Sequence, residues 1–471
     1  MTRSRREFLK AGVLGVGAAS LGLIAYHRYG RAPSHQALPE LMGPLAPVDD
    51  ETTGIPLLRL PEGFRYRTFS WTGSTMSDGR TVPGRVDGMG VVDQQGSRVT
   101  LVRNHETAGS SGAIGRPEDS YDITGGGTTT LVFDLENENL LESWVSLSGT
   151  LCNCAGGVTP WGSWLSCEEA TFSPELVDLP VPDRQLFWDI ENARREHGFV
   201  FEVPPVGVAR PDPIIEMGQF YHEAVAVDPS SGIVYMTEDV APKAGFYRYI
   251  PNTPGQLSAG GRLQMMKVND GMDMRDGLQT FQKLDVDWVD IADPAKGFTK
   301  GSRAGDGVVT QGLQAGGSVF ISLEGCDLHD GRVYFTSKLG GRENAGYIFE
   351  YDPAQETVWV VYESPGHDLI SGPDNIIMSP RGSLVVCEDR VNRKKAGQSL
   401  NGLTTEGLMF RFCQVNTNLE GEFGGHDLRK TALNSEWAGP TFSRDGQWLF
   451  VNLFSPGMSI AITGPWRDGL I

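Results

Sequence analysis

The eight histidines are scattered, with no His-x-His and no His-Glu-x-x-His among them. That argues against a zinc hydrolase of the kind that builds its metal on one helix face. There is no Gly-x-Ser-x-Gly and no recognisable Ser/His/Asp arrangement, so nothing marks a serine nucleophile. Cysteine is sparse: six residues in a chain of 471 permit disulfides but do not make a disulfide scaffold. Positive charge is also short. The chain has 40 Lys and Arg against 59 Asp and Glu, a formal charge of −19. The deficit deepens once the basic N-terminus is set aside. Such a surface repels nucleic acid and anionic lipid. It repels anionic substrates too, unless local cations reverse the field.

What is present begins with Ser4-Arg5-Arg6-Glu7-Phe8-Leu9-Lys10, a twin arginine ahead of a Gly/Ala-rich apolar run from Ala11 to Ala25. The run is too short and too weakly apolar for a comfortable membrane span. Residues 1–31 are therefore expected to be a twin-arginine signal, read by the machinery that exports folded proteins. The expected location is periplasmic or extracellular, with no stable membrane partner after export. Gly15-Val16-Gly17 mimics part of a dinucleotide fingerprint but lies inside the signal, where it carries no meaning. Residues 32–56 are Pro-rich and polar, and read as a linker or extended arm.

From Leu57 onward the pattern is rhythmic. With 60 Gly and 28 Pro, short β-type runs alternate with turns of the D/P-x-x-G kind. Gly90 to Asp93 precedes Val99 to Glu106, and Ala224 to Asp228 precedes Ile233 to Asp239. Three further pairs are Cys326 to Leu328 with Val333 to Ser337, Ile376 to Ser379 with Leu384 to Asp389, and Thr441 to Ser443 with Trp448 to Leu453. Repeated hairpins without helical periodicity predict an all-β fold, a six-bladed β-propeller with irregular insertions forming a single domain over 57–471. A two-sheet sandwich is the competing architecture. The largest insertion is expected over 252–320. Within it Asp285, Asp287 and Asp290 lack the glycine and terminal glutamate of a calcium loop, and read as the polar face of a strand.

The hairpin template places acids together. In an antiparallel pair, the residue before the first strand and the residue after the second lie at the same end. Glu223, Glu324 and Asp374-Asn375 precede first strands, while Glu106, Glu168-Glu169, Glu238-Asp239 and Glu388-Asp389 follow second strands. If these are inner strands, the carboxylates converge at one mouth of a channel. There they raise one another's pKa unless cations are bound. The segment Leu151 to Glu169 adds Cys154 on a small-residue turn. A thiol beside hard oxygen ligands suits a borderline transition metal, although this segment alone favours a buried small hydrophobe or a disulfide half, with solvated glutamates. Gly125 to Thr130 could line the channel, bind an anion through backbone N–H groups, or simply turn into a strand.

Taken in order, Asn104-His105-Glu106, Gly126-Gly127-Thr128-Thr129-Thr130, Asn153-Cys154-Ala155-Gly156-Gly157, Thr159-Pro160-Trp161-Gly162, Cys167-Glu168-Glu169 and His222-Glu223-Ala224 form a series. Thr237-Glu238-Asp239, Glu324-Gly325, Pro373-Asp374-Asn375 and Gly439-Pro440-Thr441-Phe442-Ser443 complete it. The series resembles the PhoX-type alkaline phosphatase family, twin-arginine-exported propellers that use iron and calcium. The resemblance implies a metal-dependent phosphohydrolase acting on small phosphate monoesters. It implies Cys154 as thiolate ligand to ferric iron, with Glu223 and Glu324 as catalytic carboxylates of the same cluster. Glu106, Glu169 and Asp374 would help to hold calcium. One departure stands out: the family's phosphate-gripping arginine, two residues before Glu324, is Ser322 here. Arg103 and Arg390 are the candidate replacement cations. The alternatives are a calcium-dependent propeller lactonase or esterase, which needs no cysteine, and a non-catalytic metal-binding propeller.

Overall fold

The computed structural model describes residues 38–180, 193–389, 397–417 and 435–471, with a few positions between 418 and 434. The twin-arginine segment and Arg390 lie outside the described residues. Strands dominate, and among the described residues the one α-helix is Gly307–Gln314. None of their helices is long and apolar enough to cross a membrane.

All five expected hairpins form. Their turns carry the anticipated chemistry. At Asp228 the carboxylate accepts from Ser230 N (2.8 Å) and the Ser231 hydroxyl, while Gly232 takes φ +74°, a conformation that costs glycine little. Each hairpin opens a meander. Val86–Gln95, Arg98–His105, Thr124–Asp134 and Asn139–Gly149 make one four-stranded sheet. Asn153–Val158, Trp164–Glu168 and Val200–Val203 make the next.

His222–Val227 starts a third meander and Leu323–His329 a fourth. The two share one nine-stranded sheet because the inserted strand Leu284–Asp290 pairs with Gly261–Val268 on one side and Thr357–Glu363 on the other. Asp285 and Asp287 are exposed on one face of that strand, as the polar-face reading anticipated, whereas Asp290 falls on the other face and is exposed at the strand's end. Pro373–Met378 opens the fifth meander. Its outer edge is extended by Leu58–Leu60 and then by Ala46–Val48, so part of the Pro-rich arm is an edge strand, where proline is tolerated.

Closure comes from the two ends of the described chain. Trp437–Phe442, Leu449–Leu453 and Met458–Thr463 are completed by Arg65–Phe69, which pairs with Met458–Thr463 in antiparallel register. The first strand of each meander packs beside the first strand of the next, and Trp437–Phe442 returns to Val86–Gln95. The fold is therefore all-β and propeller-like. Apolar side chains fill the spaces between neighbouring meanders, as where Phe246 of the third stacks on Phe335 of the fourth at 4.1 Å.

Candidate metal centre

Every first strand is interrupted at the same place. Val86 pairs with His105 and Met89 with Arg103, so Asp87 and Gly88 together oppose one residue. The same two-against-one bulge holds Cys154-Ala155, Glu223-Ala224, Glu324-Gly325, Asp374-Asn375 and Gly439-Pro440. A bulge breaks the alternation of a strand and re-aims one side chain. Here it turns the first bulged residue toward the channel mouth in each strand. The hairpins read from sequence consequently began too late: Glu223, Glu324 and Asp374 lie inside their strands, not before them.

Hydrogen bonds around the ring fix these bulges relative to one another. Asn104 Nδ2 donates to the carbonyl of Cys154 (3.1 Å) and of Ala155 (2.6 Å). Thr237 Oγ1 donates to the Glu324 carbonyl and Thr336 Oγ1 to that of Asp374 (2.9 Å). Gly439 N donates to Asn375 Oδ1 (2.8 Å), and Asn452 Nδ2 to the Asp87 carbonyl.

The second strands supply the other half of the mouth, and here the paired acids divide. Glu168 and Glu238 end their strands and brace backbone. Glu168 accepts from Leu151 N (2.8 Å), Gly198 N (2.7 Å), Phe199 N (3.1 Å) and His197 Nδ1 (2.6 Å). Glu238 takes Gly245 N and the Tyr247 hydroxyl, each at 2.7 Å. Glu388 accepts from Ser371 N and Ser399 N, each at 3.0 Å. Their successors Glu169, Asp239 and Asp389 face the mouth instead. Successive residues of a strand point to opposite sides, so only one carboxylate of each pair reaches the channel.

The mouth is a cavity of about 700 Å³ that includes Asp87, Glu106, Cys154, Glu169, Glu324, Asp374 and Glu436 in its lining. Below it the channel narrows to about 140 Å³ between backbones and small residues such as Gly88, Ala155, Ala224 and Gly325. Three sets of potential ligand atoms each lie within 4.8 Å of one another: Cys154, Glu169 and Glu223; Glu223, Glu324 and Asp374; and Asp87, Glu106 and Glu436. Glu223 joins the first two, and the Cys154 thiol donates toward Asp87 Oδ2 at 3.7 Å, joining the third. All six residues singled out in the sequence are thus brought to one place.

Electrostatics makes this an unstable arrangement without cations. Burial, then the neighbouring acids, push the carboxyls of Asp87, Glu223 and Glu436 well above their ordinary values. Burial likewise lifts Asp374 to about 7, against the pull of Lys338. The Cys154 thiol is pushed up by burial and then by Asp87, Glu223 and Glu169. Glu223 Oε2 is buried without a hydrogen-bond partner, which is costly unless a cation faces it. A buried thiol, crowded carboxylates and this orphaned oxygen fit a thiolate-and-carboxylate metal centre.

Several participants were missed. Asp87 occupies the same bulge position as Glu324, and the shared Asp/Glu-Gly pair could have revealed it. Glu436 precedes its strand with no comparable signal. Lys338 follows its second strand where four other hairpins carry acids. Its Nζ lies 3.3 Å from Glu324 Oε1 and 2.5 Å from Asp389 Oδ2. Arg85 also lines the mouth, its guanidinium 5.7 Å from the Phe454 ring centre.

Other candidates fall elsewhere. Arg103 is fully buried among Ser70, Ser459 and Thr129 and does not line the mouth. Ser322 donates its hydroxyl to Asp239 Oδ1 at 2.6 Å. Gly125 to Thr130 lies within the strand Thr124–Asp134, buried throughout. Cys152 packs with Leu151, Ala170 and Phe172, and all six cysteines are buried and free of disulfides.

Structural comparison returns solved structures of low identity. A gluconolactonase from Xanthomonas campestris is 12% identical over 92% of this chain and 99% of that one, with a TM-score of 0.41. The PQQ domain of pyranose dehydrogenase from Coprinopsis cinerea is 12% identical over 86% and 97%, with a TM-score of 0.32. Likenesses this weak carry no argument about the reaction. A search of curated proteins gives no match. The sequence profile described as alkaline phosphatase PhoX matches residues 41–130 and 116–457, a span that contains every bulge described above, and the chain belongs to that family.

Proposed function

We propose that this chain is an exported, six-bladed propeller that hydrolyses phosphate monoesters at a metal centre in its channel mouth. Family membership gives the reaction class. The observation that carries the reading is the meeting of the Cys154 thiol with Glu169 and Glu223, whose second oxygen is orphaned. Cys154, Glu223 and Glu324 would hold ferric iron, and Glu106, Glu169 and Asp374 would hold calcium, with Asp87 and Glu436 completing the acidic wall. Ions held by these residues would supply polarisation of phosphoryl oxygens and would offset charge developing during transfer.

The chain's own contribution is position. Bulges seat the ligands on inner strands, and the ring of inter-strand hydrogen bonds fixes their spacing. Ser322 leaves Asp239 hydrogen-bonded and supplies no cation of its own. The six blades correspond to the six bulged first strands, the third and fourth joined through Leu284–Asp290.

The test is elemental analysis of protein purified after native export, with hydrolysis of a simple aryl phosphate followed in parallel. Iron and calcium with calcium-dependent turnover at neutral to alkaline pH are expected. Metal-loaded protein that leaves monoesters and diesters untouched would refute the phosphatase reading. Export should fail when Arg5 and Arg6 are both replaced by Lys.

A further inference from the structure

We propose that Lys338 is a resident cation that takes the place of a metal ion between Glu324 and Asp389. The inference rests on reading the mouth as a metal centre and concerns where that centre ends. The position after the second strand is an acid in four hairpins, Glu106, Glu169, Asp239 and Asp389, and Phe454 in the last. In the fourth it is Lys338, so one blade presents a positive charge where four others present a negative one.

The ammonium is engaged with carboxylates. Nζ sits 2.5 Å from Asp389 Oδ2 and 3.3 Å from Glu324 Oε1. Asp389 and Glu324 come from neighbouring meanders, and Lys338 bridges them as an ion would. A divalent ion reaching the same two oxygens would stand against this ammonium in a poorly screened site. Across the same flank, the Ser322 hydroxyl is directed at Asp239.

The test is the metal content of natively exported wild type, Lys338→Met, Lys338→Arg and Asp389→Asn, by elemental analysis and native mass. The Met variant should gain about one divalent ion per chain, because the two carboxylates it frees form an additional oxygen site. The Arg and Asn variants should keep the wild-type count. Once stripped by chelator, the Met protein should regain more thermal stability from added calcium than the wild type does. An unchanged metal count in Lys338→Met with a raised KM for the ester would overturn the proposal and make the lysine a substrate ligand. If the Met variant does not fold, Asp389→Asn decides: loss of an ion there would show that Asp389 already holds metal and would equally overturn it. Wild type free of metal would instead bring down the metal-centre reading itself.

Discussion

Glu168 and Glu169 are adjacent carboxylates with opposite duties, and exchanging each for glutamine should move stability in opposite directions. Glu168 is fully buried and accepts three backbone N–H groups as well as His197 Nδ1. His197 is itself buried, with Nε2 3.3 Å from Asp122 Oδ2. Glu168→Gln removes the anion from a buried ion pair, a loss that costs about 3–5 kcal/mol. The new amide NH₂ also faces at least one group that needs an acceptor, at about 1–3 kcal/mol for each donor left unpaired. Against a total stability of about 5–15 kcal/mol, that loss is severe.

Glu169→Gln has the reverse effect on the metal-free protein. Glu169 is among the charges that hold the Glu223 carboxyl up, so neutralising it relieves repulsion in the empty mouth and weakens cation binding. Urea denaturation of chelator-treated protein reads the first effect, and metal titration of the folded variants reads the second. Equal destabilisation by both substitutions would refute the division of labour drawn from strand alternation.

Cys154→Ser should lose bound iron and its visible thiolate-to-metal absorption, whereas Cys152→Ser should lower stability and keep the metal, as absorption spectra and elemental analysis will show. Burial works against the His197 charge, but Glu168 and Asp122 raise its pKa to about 9, so its contribution is complete below the unfolded value near 6.5 and is lost as pH rises through about 9. Metal-free wild type should therefore lose about 3 kcal/mol across that interval, and His197→Gln should be flatter over the same range in pH-dependent denaturation. Ser322→Arg should lower KM for phosphate esters more than it raises kcat, as expected of a contact made in ground and transition states alike.

The hairpins were legible because their turns carry Asp, Gly and Pro where backbone conformation demands them, and the convergence of Glu106, Glu169, Glu223, Glu324 and Asp374 followed from antiparallel geometry alone. The bulges were not legible. An extra residue destroys the alternation by which a strand is recognised, so each first strand seemed to start after its most important side chain. Asp87 was lost for that reason, since its strand read as starting at Gly90. Glu168, Glu238 and Glu388 were placed at the mouth because adjacent acids look alike in sequence, while the pleat sends the two members of each pair to opposite sides. Lys338 escaped notice because the template sought acids, and Arg103, which had looked available, is fully buried and hydrogen-bonded to Ser70, Ser459 and Thr129.

The bulge ring behaves like a keyboard with one key per inner strand. Five keys carry Asp, Cys, Glu, Glu and Asp, each reaching the mouth from a backbone already fixed by its neighbours. The sixth is Gly439, where φ is +57° and an added Cβ would stand 2.4 Å from Met89 N, so it cannot take a ligand without moving the adjoining strand. Exchanging any of the other five changes the donor set and leaves the frame in place. On such a scaffold, a single codon at a bulge exchanges one side chain of the mouth, while hydrogen bonds that hold the ring run to backbone carbonyls.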